Sequence, residues 1–197
     1  ICFTTIDREE FNKTQREDDL PAYPSVDVPQ GILPKLLNSL VSRRREVKKL
    51  LKDPKLSSAE KSSFDIKQLA LKLQANSLYG YLGFEKIRFY AKALAMLVTA
   101  KGREILMETK KMAETIDLHT IYGDTDSLMI ETGTLDYNEA IEAAAKFQQL
   151  INGKHTILEL GLDNVFKSIL LHSKKKYAAV NVVPAGDGKF TETLEVK

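Results

Sequence analysis

The run Ile121-Tyr122-Gly123-Asp124-Thr125-Asp126-Ser127-Leu128-Met129-Ile130 leaves little freedom in what it can become. Apolar residues flank a small acidic tip. Ile121 and Tyr122 read as the end of one strand, and Leu128, Met129 and Ile130 as the start of the next. Gly123 and the Asp-Thr-Asp run carry turn chemistry, which predicts a tight hairpin with two carboxylates at its bend. Two anions held that close repel each other unless a cation or water stands between them. Hard oxygen ligands at short spacing suit Mg2+, which would mark a phosphoryl-transfer centre. An Asp-rich surface turn meets the same pattern. A calcium loop of the EF-hand type does not. With Asp124 as its first position, Leu128 and Met129 fall fifth and sixth, where an oxygen ligand and a glycine are needed.

The 197 residues suffice for one large domain or two small ones. A net charge of +2 is close to neutral, so the distribution of charge says more than its total. Cations cluster at Arg43-Arg44-Arg45, Lys48-Lys49 and Lys174-Lys175-Lys176. Cys2 is the only cysteine, which excludes an internal disulfide and a cysteine-based zinc site and fits an intracellular protein. No apolar run approaches membrane-spanning length, and no signal peptide is visible. The chain opens on Ile1-Cys2-Phe3 without an initiator Met, as if cut from something longer.

Residues 1 to 30 read as an irregular surface connection, with Glu9, Glu10, Asp18, Asp19 and four prolines from Pro21 to Pro34. From Leu33 to about Lys52 apolar residues recur at three- and four-residue steps, which predicts a helix stopped by Asp53-Pro54. Arg44 interrupts its apolar stripe and Lys48 lies one turn on. The two cations serve either a solvated face or contact with a polyanion. Ser57 to Ser63 read as a polar turn. A second helix is expected from about Ser63, with Ile66, Leu69, Ala70 and Leu73 as its apolar stripe. Lys72, Asn76 and Tyr79 fall at i, i+4 and i+7 on a displaced face, and Gly80 beside them permits close backbone approach. The pair makes a helical hairpin with a basic surface, suited to a triphosphate or a nucleic-acid backbone.

A long helix follows within residues 84 to 117, with Leu94, Val98, Ile105, Met112 and Ile116 on its apolar face. A further helix is expected from about Asn138 to Asn152, with Ala140, Ala144, Phe147 and Ile151 inward. Leu158 to Leu162 reads as a short strand or turn. Strands are expected at Val165–Leu171, Tyr177–Val183 and Phe190–Val196, with Gly186-Asp187-Gly188 as a hairpin loop. Lys174-Lys175-Lys176-Tyr177 sits between two of these strands. It is either a solvated loop or a nucleic-acid contact in which Tyr177 packs on a sugar while the lysines hold phosphates. His119, His155 and His172 share no metal-site spacing. The fold class is α+β.

Three motifs then resemble one family in its own order. Lys72-Leu73-Gln74-Ala75-Asn76-Ser77-Leu78-Tyr79-Gly80 is similar to the fingers motif of family B DNA polymerases. Tyr122-Gly123-Asp124-Thr125-Asp126-Ser127 resembles their acidic palm motif, and Lys174-Lys175-Lys176-Tyr177 their basic primer-template motif. The resemblance covers essentially the whole chain and is weakest in residues 6 to 30 and 53 to 63.

The resemblance implies a helical-hairpin fingers subdomain at 31–86, joined through an irregular connection at 1–30 to the C-terminal part of a palm at 87–197. That part reaches the start of the thumb, its mostly antiparallel sheet packed on helices. It implies primer extension by nucleotidyl transfer from deoxynucleoside triphosphates with two Mg2+ ions, in DNA replication in the nucleus. Asp126 would ligate metal, with Asp124 the auxiliary carboxylate. Arg44, Lys48 and Lys72 would hold the triphosphate. Asn76 would position the nucleotide, and Tyr79 would pack under the nascent base pair with Gly80 leaving room. Lys174, Lys175, Lys176 and Tyr177 would grip primer-template. Primase and accessory subunits are implied as partners by the resemblance alone. The first acidic palm motif is absent, and Asp7 lacks its context, so the chain reads as a fragment without polymerase activity by itself. A polymerase-like, non-catalytic nucleic-acid-binding module is the alternative. A metal-dependent nuclease would leave the fingers motif without a role.

Overall fold

The structure is a computed structural model and describes every residue except 7–15, 17, 18, 26, 156, 187 and 188. Asp7, Glu9, Glu10, Asp18 and the tip of the expected Gly186-Asp187-Gly188 loop lie outside the described residues. The fold is α+β and divides into two compact units, Ile1–Lys101 and Gly102–Lys197. Among the described residues no helix is long and apolar enough to cross a membrane.

The first unit is built on a hairpin of helix α1 (Ile32–Leu50) and helix α2 (Ser58–Gly83), followed by the first part of helix α3 (Lys92–Glu114). Gly31, the N-cap of α1, has no side chain to accept from the free amides of the first turn. The Cys2 thiol takes that place: its Sγ accepts from the Leu33 N–H and from Thr4 Oγ1, both at 3.4 Å. Burial opposes the thiolate, but the hydrogen bonds around the sulfur outweigh it and hold the thiol below its ordinary pKa. Gly31 is needed for this contact, since a Cβ there would lie 2.5 Å from Cys2 Cβ.

Helix α2 starts five residues before the expected Ser63. Ser57 Oγ accepts from the Glu60 N–H, and Glu60 accepts in return from the Ser57 N–H at 2.9 Å, a reciprocal capping box. The serine-rich stretch is therefore the first turns of the helix and not a loop. The expected apolar stripe is also corrected. Ile66, Leu69 and Leu73 are exposed, and the face turned from solvent runs through Phe64, Gln68, Leu71, Ala75, Leu78 and Leu82. The helix carries apolar residues on two faces, and packing against α1 selects the one that includes Gln68. Leu82, Ala91, Leu94 and Ala95 form the buried cluster of this unit, with Ile1, Ile6 and Leu33 against it. Along α3, Leu94 and Leu97 are fully buried while Val98 and Ile116 are exposed, so the helix buries a narrower face than its spacing predicts.

In the second unit, the end of α3 leads into strands β1 (His119–Asp124) and β2 (Ser127–Glu131), an antiparallel ribbon. Helix α4 (Tyr137–Lys154) is capped by Asp136, which accepts from the Asn138 and Glu139 amides. It buries Phe147 and Ile151 against Ala113 and Leu118. Leu158–Leu162 forms no strand. The Asn152 side chain holds the backbone of Leu160 at both its N–H and its C=O. Strands β3 (Phe166–Ser173), β4 (Lys176–Gly186) and β5 (Lys189–Val196) make an antiparallel sheet in chain order.

Candidate functional site

The second unit brings two hairpin tips together. β1 and β2 pair Gly123 with Leu128 and Asp124 with Ser127, which leaves Thr125 and Asp126 as the turn. Gly123 therefore lies in the ladder and not in the bend. Its lack of a side chain serves close packing, since a Cβ there would meet Leu128 Cδ2 at 3.0 Å. Thr125 takes a positive φ of 53°, strained for a β-branched residue. The Asp126 N–H donates to the Asp124 carbonyl at 2.6 Å around it. The two carboxylates end in unlike settings. Asp124 is the last strand residue, partly buried; it accepts from Thr125 Oγ1 at 3.0 Å and pairs with Lys175 Nζ at 3.5 Å. Asp126 is at the tip, exposed, and among the described residues no hydrogen bond or ion pair engages its side chain.

The partner tip is the β3–β4 turn. Ser173 pairs with Lys176, and Lys174 and Lys175 form the bend, Lys175 at a φ of 66°. The Lys175 N–H donates to Tyr122 Oη at 2.9 Å. Lys174 and Lys176 are exposed. Tyr177 differs from the expectation that it packs on a sugar. Its ring is only 8% exposed, stands edge-on to Phe166 and lies beneath Lys197, and its hydroxyl donates to Glu195 Oε1 at 3.2 Å. The alternation of β4 turns Tyr177 inward with Ala179. The same contacts, Tyr177 first and then Glu195, raise the pKa of Lys197.

Asp124 and Asp126 offer hard oxygens of the kind that Mg2+ takes. Among the described residues, however, no three His, Cys, Asp or Glu side chains come together. The residues present fit one side of a metal site.

In the first unit, α1 and α2 carry the remaining candidates. Arg44 is half-buried, and its Nε donates to Gln68 Oε1 at 3.2 Å, while Gln68 Nε2 donates to Asp65 Oδ1 at 2.9 Å. It belongs to the seam between the helices, which explains why a cation interrupts the apolar stripe. Lys48, Lys72, Asn76 and Tyr79 are exposed. Among the described residues no hydrogen bond or ion pair engages Lys48, Lys72 or Asn76. Gly80 faces open space, with nothing within 4 Å of a Cβ built on it. Sequence reasoning missed Tyr122 and the pairing of Lys175 with Asp124. The one available hint was that two tips of opposite charge lie 51 positions apart.

The family model described as DNA polymerase family B matches residues 1–197. The chain is 53% identical over its full length to a DNA polymerase alpha catalytic polypeptide of Saccharomyces cerevisiae, covering 13% of that protein. It is 48% identical to the DNA polymerase alpha catalytic subunit of Xenopus laevis and 43% to that of Drosophila melanogaster, covering 14% and 13% of them. The chain belongs to family B of the DNA polymerases and spans about one-seventh of the length of these relatives.

Proposed function

We propose that the chain is the fingers and part of the palm, 31–86 and 87–197 with 1–30 as their connection, of a replicative, nuclear DNA-directed DNA polymerase of the alpha type. The full-length enzyme extends a primer on a template from deoxynucleoside triphosphates. The observation that carries this reading is the contrast between the two tips: an unengaged Asp126 carboxylate beside a basic turn tied to Asp124. A nucleotidyl-transfer centre needs both, a carboxylate for metal and cations for the phosphates of the strand being extended. Bound Mg2+ supplies a lowered pKa for the primer 3′-hydroxyl and neutralises phosphate charge. Asp126 ligates that metal, and a further carboxylate from elsewhere in the enzyme completes the site. Asp124 holds Lys175 and is the auxiliary carboxylate. Lys174, Lys175 and Lys176 take primer-template phosphates.

On the helical hairpin, Lys48 and Lys72 take the triphosphate. Arg44 adds positive potential from the seam while it bonds Gln68. Asn76 orients the nucleotide, and the exposed Tyr79 packs under the nascent pair beside the open Gly80. The intact set Asp124, Asp126, Lys72, Asn76 and Tyr79 speaks against a non-catalytic binding module. Primase and accessory subunits would contact the full-length enzyme. The test is Asp126→Asn in that enzyme. Turnover is expected to vanish with primer-template affinity retained, because a metal ligand is removed and no backbone contact is lost. Loss of affinity with preserved activity of the bound fraction would refute the assignment.

A further inference from the structure

We infer that Tyr122 is a positioning residue for the basic turn: its hydroxyl latches the Lys175 backbone, so that the primer-gripping tip is held in register with the acidic tip. The inference rests on the reading of Lys174–Lys176 as a primer-template contact.

The latch follows from the local geometry of β1. The ladder slips between Thr120 and Tyr122, leaving Ile121 as an extra residue with its side chain outside. Such a bulge re-aims the residues that follow it. From there Tyr122 and Asp124, two apart, share the partly buried face of the ribbon. Both reach the same residue by different groups. Tyr122 Oη accepts the Lys175 N–H at 2.9 Å, and Asp124 Oδ2 pairs with the Lys175 ammonium at 3.5 Å. Backbone and side chain of one lysine are thus fixed from one strand.

That lysine needs the help. At a φ of 66° it sits in a region that disfavours residues with a Cβ, and a two-residue turn leaves its N–H without a ladder partner. The ribbon needs it too. A two-stranded hairpin is marginal alone, and its own turn is strained at Thr125. Each tip therefore braces the other. The ion pair can exchange Asp124 for a phosphate when nucleic acid arrives. The phenol bond to the backbone stays, so the loop keeps its conformation while the ammonium changes partner. Tyr122 touches neither phosphate nor metal in this scheme and acts only through Lys175.

The test uses the full-length enzyme with Tyr122→Phe, Lys175→Ala and the double variant, read as primer-template Kd, kcat at saturating primer-template, and Mg2+ titration midpoint. Losing one hydrogen bond predicts a Kd raised roughly three- to tenfold by Tyr122→Phe, with kcat and the Mg2+ midpoint unchanged. In the Lys175→Ala background Tyr122→Phe should cost less than twofold, because its effect runs through the lysine. Amide exchange across 174–177 should quicken in Tyr122→Phe while the melting temperature holds, which separates a loosened turn from a misfolded enzyme. An equal loss in both backgrounds, or no loss in either, overturns the latch. If Lys175→Ala itself leaves Kd unchanged, the primer-template reading of the basic turn falls and the latch with it. If Lys175→Ala weakens binding and Tyr122→Phe does not, the latch alone falls.

Discussion

Asp124→Asn should damage the full-length enzyme far less than Asp126→Asn, although the two residues stand in one short motif. Asp124 already has partners. Asparagine keeps an oxygen for Thr125 Oγ1 and forfeits the ion pair with Lys175 Nζ at 3.5 Å. At that distance two unit charges attract by about 5 kcal/mol with an effective dielectric of about 20. The Lys175 side chain is 64% exposed, however, so solvent screens most of it. Pairs of this kind are worth about 0.2–1 kcal/mol, which limits the loss of primer-template affinity to about fivefold. Asp126 is different: a lost metal ligand removes several kcal/mol of transition-state stabilisation, and about 4 kcal/mol is roughly a thousandfold in rate. Single-turnover primer extension at saturating primer-template and nucleotide, with Kd measured in parallel, should separate the variants by more than about a hundredfold in rate. Equal inactivity at equal affinity would refute the division of labour, because Asp124 would then have to ligate the metal itself.

Lys72→Ala should raise the apparent nucleotide Kd about ten- to a hundredfold with little change in primer-template affinity, since one charge-assisted contact to phosphate is worth about 1.5–3 kcal/mol; nucleotide titrations of single-turnover rates measure it. Gly31→Ala should destabilise the chain by about 1–2 kcal/mol in urea unfolding. Crowding against Cys2 and Thr4 at 2.5 and 2.6 Å costs about 1–3 kcal/mol, and the smaller entropy of the unfolded chain returns about 0.4–1 kcal/mol. Ser57→Ala should cost about 1 kcal/mol at pH 7. Ser57 holds the Glu60 carboxyl below its usual pKa in the folded chain. That contribution is present above the unfolded-state pKa and is lost as pH falls through the folded one, so the gap between wild type and Ser57→Ala should narrow between pH 6 and 3. A constant gap would refute the capping box.

The elements were legible where one periodicity had one interpretation. The ribbon at 119–131, the strands at 166–196 and the long helices follow from spacing that a single buried face imposes. Legibility failed where two faces competed. Helix α2 places Ile66, Leu69 and Leu73 on one side and Phe64, Leu71 and Leu78 on another, and periodicity cannot say which side meets α1. It failed again where a polar residue did structural work. Arg44 reads as a stray cation until Gln68 is seen opposite it, and the serine cluster reads as a loop unless Glu60 is counted three residues after Ser57.

The site shows the same limit at higher resolution. In sequence Asp124 and Asp126 are equivalent, two carboxylates two residues apart, which strand alternation would put on one face. Thr125 breaks the alternation, because a turn at positive φ sends Asp126 to the tip and leaves Asp124 in the ladder. What then distinguishes them is Lys175, 51 residues on, which occupies one carboxylate and leaves the other unengaged. Neither local propensity nor spacing encodes that contact; it follows from the register of two separate hairpins. A pair of acids becomes one structural anchor and one available ligand only when a basic turn from another sheet is brought against it.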